Sequence, residues 1–139
     1  MVVFGNDTIT LFNRIWDDEN ESETWLATVL SKCNLVATRG RNISKSGLEN
    51  ADTVKLYVDT AEQVNEFVKP KVYESLADKS NVYTLTPQID FFVKGDVSAE
   101  ASFEEGFFEY ILGKYDDVYK VTTVDEYTEI LPHLEVGGK

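Results

Sequence analysis

Between Asp52 and Asp59 the chain alternates strictly, with Val54, Leu56 and Val58 set against Thr53, Lys55 and Tyr57. Successive side chains of an extended chain point to opposite faces, so a period of two specifies a strand with one buried face and one wet face. Comparable stretches between polar turns recur along the chain and restrict it to a β-rich fold. Thr8 to Trp16 is rich in β-branched and aromatic residues, and Ile9, Leu11 and Ile15 share one parity, which makes it the first strand. Asp17, Asp18, Glu19, Glu21 and Glu23 then place five carboxylates in seven residues, too much charge to bury, so this run is a solvated hairpin loop. A second strand is expected from Thr24 to about Leu30, and Asn34 to Thr38 either adds another or continues it after a break.

A polar loop near 39–50 carries Arg39, Arg41 and Lys45, the basic cluster of the chain, and offers no apolar face to hold it down. Pro70 is placed to start a short helical turn through Val72, Tyr73 and Leu76. Tyr83-Thr84-Leu85 and residues 90–97 read as strands around a turn near Pro87. The clearest helix spans about 103–113. Ser102 and Glu105 have the spacing of a capping box, and Phe103, Phe107, Ile111 and Tyr115 recur every four residues beside Phe108 and Leu112. Gly113 is its expected stop. Residues 117–124 and 126–131 read as two strands with Asp125 near their turn and Val118, Val121, Val124 and Ile130 facing inward. After Pro132, residues 133–136 form a final edge strand ending in a flexible Gly137-Gly138-Lys139. The expected architecture is a single mainly β domain over residues 1–139. It is a small antiparallel β-barrel or sandwich, with one short α-helix packed on it and closing one end.

The chemistry is sparse. His133 is the sole imidazole and Cys33 the sole thiol, so neither a thiolate zinc site nor a multi-histidine site can be assembled, and a Cys33–His133 nucleophilic pair has no flanking signature. No glycine-rich phosphate loop is present, and residues 17–23 lack the glycine and terminal glutamate of a calcium loop. Paired carboxylates in a cleft would be the one route to an enzyme, and no motif supports it. The expectation is a non-enzymatic protein without metal or cofactor. Its 13 Lys and Arg against 25 Asp and Glu give a formal net charge of −12, which repels phosphate backbones and anionic lipid heads. Such acidity serves solubility, or a channel wall past which DNA slides without sticking. With no apolar run of about 18 residues and no basic leader pattern at Met1 to Gly5, synthesis in the cytoplasm and no membrane attachment are expected.

Several stretches together resemble a family of small proteins encoded in the head-to-tail joining region of phages and prophages of Gram-positive bacteria. They are Asp7-Thr8-Ile9-Thr10-Leu11-Phe12-Asn13, Glu23-Thr24-Trp25, Lys45-Ser46-Gly47-Leu48 with Ala51-Asp52-Thr53-Val54, and Leu76-Ala77-Asp78-Lys79-Ser80. Further on come Phe92-Val93-Lys94-Gly95-Asp96-Val97, Lys114-Tyr115-Asp116-Asp117-Val118, and the ending Leu131-Pro132-His133-Leu134-Glu135-Val136-Gly137-Gly138-Lys139. The chain departs from the pattern at Pro87-Gln88-Ile89-Asp90, where a Gly-Asp turn is expected, and at Leu35, which replaces an aromatic. The resemblance implies a small β-barrel stopper of the phage neck. It would be a homo-oligomeric ring beneath portal and adaptor, docking the tail and lying close to packaged DNA in the virion. A ring interface joins two different faces of each protomer. The basic Arg39, Arg41 and Lys45 and the acidic Asp17, Asp18, Glu19 and Glu21 are its candidate halves. A tail-completion or tail-terminator protein, and a free acidic binding or inhibitor module, are the alternatives.

Overall fold

The computed structural model describes residues 5–37, 53–100 and 106–139. Along the chain run β1 (Asp7–Asp17), β2 (Ser22–Ala37), β3 (Val54–Asp59), β4 (Glu66–Phe67), α1 (Pro70–Ser75), β5 (Val82–Tyr83), β6 (Phe91–Lys94), α2 (Phe107–Lys114), β7 (Val118–Tyr127) and β8 (His133–Gly138). Six of these strands close into an antiparallel barrel in the order β1-β2-β3-β8-β7-β6, while β4 and β5 pair separately and in parallel. The barrel expected from the alternation is therefore present, and the sandwich is not. Closure leaves the six barrel strands without a continuous free edge.

Neighbouring residues on β1 and β6 enter different cores. Ile9, Leu11 and Phe92 point inward with Leu30, Cys33, Val54, Leu56, Val58, Val121, Leu134 and Val136, filling the barrel with side chains. Phe12, Phe91 and Val93 point outward and pack beneath Phe107 and Ile111 of α2. Burial on both faces explains why Phe91-Phe92-Val93 is continuously apolar rather than alternating. An eight-residue helix is marginal in water, so α2 depends on this docking, where burying Phe107 and Ile111 contributes about 1.5–3 kcal/mol each. The helix thus covers the barrel's outer wall, not one end as expected. One end is instead plugged by the crossover between β3 and β6, whose Tyr83 and Leu85 join the inner core.

Other local expectations are revised. The second strand is one continuous element, with its break absorbed as a bulge where Lys32 adopts φ 54° and pairing slips between Asp7 and Ile9. The side chain of Gln63 satisfies that bulge, accepting from Ser31 N–H at 3.0 Å and donating to Ser31 O at 2.7 Å. The first described residue of α2 is Phe107, capped by Gly106 at φ 80°, and the Ser102–Glu105 capping box lies outside the described residues. Gly113 does not stop the helix, which runs on to Lys114. Residues 118–127 form a single strand through Asp125, and the turn falls later, leaving Ile130 95% exposed rather than inward. Tyr83-Thr84-Leu85 is strand only at its start, in β5. The last segment is no edge: β8 lies between β3 and β7, with Gly137 and Gly138 paired on both sides.

Candidate functional site

The register places the end of β1, the end of β3, the start of β6, the end of β7 and the start of β8 at one rim of the barrel. A buried polar knot holds that rim. Asp90, 1% exposed, accepts Arg14 N–H on Oδ1 at 3.0 Å, and Asn13 Nδ2 and Thr86 N–H on Oδ2 at 2.9 and 2.8 Å. Asn13 also pairs with Thr84, donating to its carbonyl at 2.5 Å and accepting its N–H at 3.3 Å. Burial pushes the Asp90 carboxyl up, and the donated hydrogen bonds pull against it. Solvent does not reach this carboxylate, so it fastens the crossover to β1 and has no access to a ligand.

Beyond the knot the β1–β2 hairpin stands clear of the barrel. β1 pairs with β6 only from Ile9 to Phe12, whereas its pairing with β2 continues to Asp17. Asp17 shapes the turn by accepting Glu19 N–H at 3.0 Å and Asn20 Nδ2 at 2.8 Å, and the Asn20 contact leads in lowering its carboxyl pKa. Trp16, 49% exposed, lies beneath the Arg14 guanidinium at 5.6 Å. Beside it opens a cleft of about 440 Å³ walled by Arg14, Trp16, Asp18, Tyr73, Glu74 and Lys79.

Across the same rim, Leu131 N–H bonds to Glu129 O at 2.7 Å around Ile130 at φ 63°, a strained three-residue turn for a β-branched side chain. His133 anchors it through Nδ1 to Leu131 O at 2.7 Å and Nε2 to Glu135 at 3.0 Å, with Tyr127 stacked on the ring at 4.8 Å. Burial disfavours the imidazolium, but the Leu131 and Glu135 acceptors outweigh it, and the His133 pKa is raised. A raised pKa means that this residue's stabilisation is complete below the ordinary imidazole range and is lost as pH rises through the folded value. The gap in Tm between wild type and His133→Ala is therefore expected to be wide at about pH 6 and to narrow by about pH 8, as read by thermal melts.

A family model matches residues 4–139, and it describes a family of unknown function, DUF6751. The chain belongs to this family. No curated protein matches it, and no solved structure does.

In this DUF6751 chain Asp17, Asp18, Glu19 and Glu21 all lie exposed at the tip of the projecting hairpin. Arg39, Arg41 and Lys45, with the polar loop near 39–50, lie outside the described residues. Ala37 and Val54, which flank that loop, pair with each other at the opposite end of the barrel. Cys33 is buried and its thiol pushed up to about 12, chiefly by burial, the reverse of what a nucleophile needs. Among the described residues no group of three His, Cys, Asp or Glu side chains could hold a metal ion, and no helix is long and apolar enough to cross a membrane. Sequence reasoning missed the Asn13–Asp90 knot and the Trp16 cleft. Their signals were a polar Asn13 inside an apolar strand and a Trp directly before an acidic turn.

Proposed function

We propose that the chain is a structural protein of a tailed-phage neck, joining head to tail and acting as the head-to-tail stopper ring. The observation that carries this reading is the ordered set of matching segments from Asp7-Thr8-Ile9 to the Leu131–Lys139 ending, borne on a small closed barrel. The filled interior fits it, because DNA would pass through the hole of a ring of copies and not through the barrel itself. The acidic hairpin tip and the basic Arg39, Arg41 and Lys45 of the sequence suit a heterologous contact, in which one face of a protomer meets a different face of its neighbour, the adaptor or the tail.

Cryo-EM of intact particles tests the reading. Density for this chain as a ring between portal and tail is expected. Its absence from particles, or a position in tail fibres, overturns it, and a ring at the top of the tail tube would mark a tail-completion or terminator protein instead. Reversing the charge of Arg39, Arg41 and Lys45 together should lower the yield of joined particles while the purified chain keeps its fold. Each exposed ion pair is worth only about 0–1 kcal/mol, so all three are changed at once. The net charge of −12 favours a second reading, a free acidic inhibitor. That reading expects a soluble host protein to be bound in infected cells and the chain to be missing from virions.

A further inference from the structure

The projecting hairpin carries a strand edge that, among the described residues, no other strand pairs with. Arg14 N–H turns toward Asp90, on the side where β6 runs lower down, which fixes the phase of the ladder. In an antiparallel pair alternate residues face the same side, so Trp16 N–H and C=O also point away from β2. Among the described residues no strand pairs with β1 on that side beyond Phe12, and no hydrogen bond reaches Trp16 N–H. Asp90 already does for Arg14 what a neighbouring strand's carbonyl would do, and the ladder then stops.

The cleft beside this edge, about 440 Å³, falls within the roughly 300–1,000 Å³ typical of ligand sites. Its charges are unequally engaged. Arg14 lies over Trp16 and 3.9 Å from Glu23, and Lys79 donates to Leu76 O and lies 5.4 Å from the Tyr73 ring centre. Asp18 and Glu74 line the cleft with no ion pair among the described residues. We propose that the open β1 edge at residues 14–16 is a docking site for an extended, lysine- or arginine-rich segment of a partner protein, which adds to the hairpin as a strand. Backbone hydrogen bonds to Trp16 supply the register, and Asp18 and Glu74 select positive charge. A second copy of this chain is the poorer occupant, since each copy brings a net charge of −12. The inference goes beyond the neck reading and does not require it.

Amide-resolved NMR on the full chain, with a capped peptide of alternating Lys and Val as the probe, tests this. In the free chain Trp16 N–H is expected to exchange freely with solvent, and the peptide should slow that exchange at least tenfold while shifting the Trp16 and Tyr73 signals. N-methylating either all Lys or all Val amides should weaken binding at least tenfold in one case and leave it intact in the other, since only one set faces β1. A Glu–Val peptide should bind at least tenfold more weakly than Lys–Val. Trp16→Pro, which removes an N–H without a partner at an edge position, should abolish binding. If that variant does not fold, the N-methylated peptides decide the matter on the wild-type chain. The proposal fails if Lys–Val does not bind at millimolar concentration, if both N-methylated peptides bind like the parent, if Glu–Val binds equally, or if Trp16 N–H is already protected in the free chain. Protection that grows with protein concentration alone would identify a second copy as occupant and overturns it too.

Discussion

Gly138→Val should lower Tm by roughly 10 °C and leave a barrel that no longer closes tightly between β3 and β7. Gly138 pairs with Val54 on one side and Val121 on the other. A Cβ at this position would lie 2.9 Å from Phe92 Cζ, 2.9 Å from Val54 Cγ2 and 3.1 Å from Tyr119 Cβ, closer than real carbons pack. The three neighbours belong to three different strands, so relief in one direction tightens another. Overpacking of this kind costs about 1–3 kcal/mol, and the side chains of Phe92 and Val54 that must give way are themselves buried in the inner core. Gly138→Ala should show a smaller loss of the same sign. Thermal and urea melts of the two variants measure this, and a Gly138→Val protein as stable as wild type would show that the seam is looser than described.

The second large effect is at the rim knot. Asp90→Ala removes the acceptor of Asn13 Nδ2, Arg14 N–H and Thr86 N–H together. A buried donor left without a partner costs about 1–3 kcal/mol, and the loss of a negative charge from a buried site offsets part of the sum, so a net destabilisation of about 3 kcal/mol is expected. Burial raises the Asp90 pKa, and a carboxyl that binds its proton more tightly when folded stabilises most in acid and less as pH rises through the folded value. The stability gap between wild type and Asp90→Ala should therefore be wider near pH 4 than near pH 7, as read by urea titrations at the two pH values. A gap that widens toward neutrality would mean that the donors, not burial, govern this carboxyl.

Local chemistry was legible in the residues where one neighbour decides the outcome. Val54, Leu56 and Val58 are inward on β3, Pro70 begins α1, and the middle of the acidic run, Asp18 to Glu21, forms a turn, although its ends Asp17 and Glu23 belong to β1 and β2. Expectations failed where distant partners decide. Nothing near His133 reveals that β3 and β7 flank it, so a central strand read as an edge. Asp125 resembles a turn residue, yet it pairs with Glu135 in the ladder while the actual turn places Ile130 at positive φ. Phe107 and Ile111 marked the helix, but which surface it covers depended on Phe12 and Phe91, far apart in the chain. The candidate site shared this division: the acidic tip was visible as composition, whereas the open edge exists only because β6 is four residues long and β1 is eleven.

The position of β8 bears on how the molecule comes into being on the ribosome. A nascent chain lacking residues 133–138 has every other barrel strand but must hold the flanks of β3 and β7 apart, with their ladder groups bare. Closure waits until the last strand has emerged, and until then the exposed Val54, Leu56 and Val121 faces are available to other chains or to a chaperone. Because the seam joins β3 to β8, far apart in the chain, folding should fall in the millisecond-to-second range typical of non-local β topologies. Assembly with any partner then begins from a barrel in which β8 is already seated between β3 and β7.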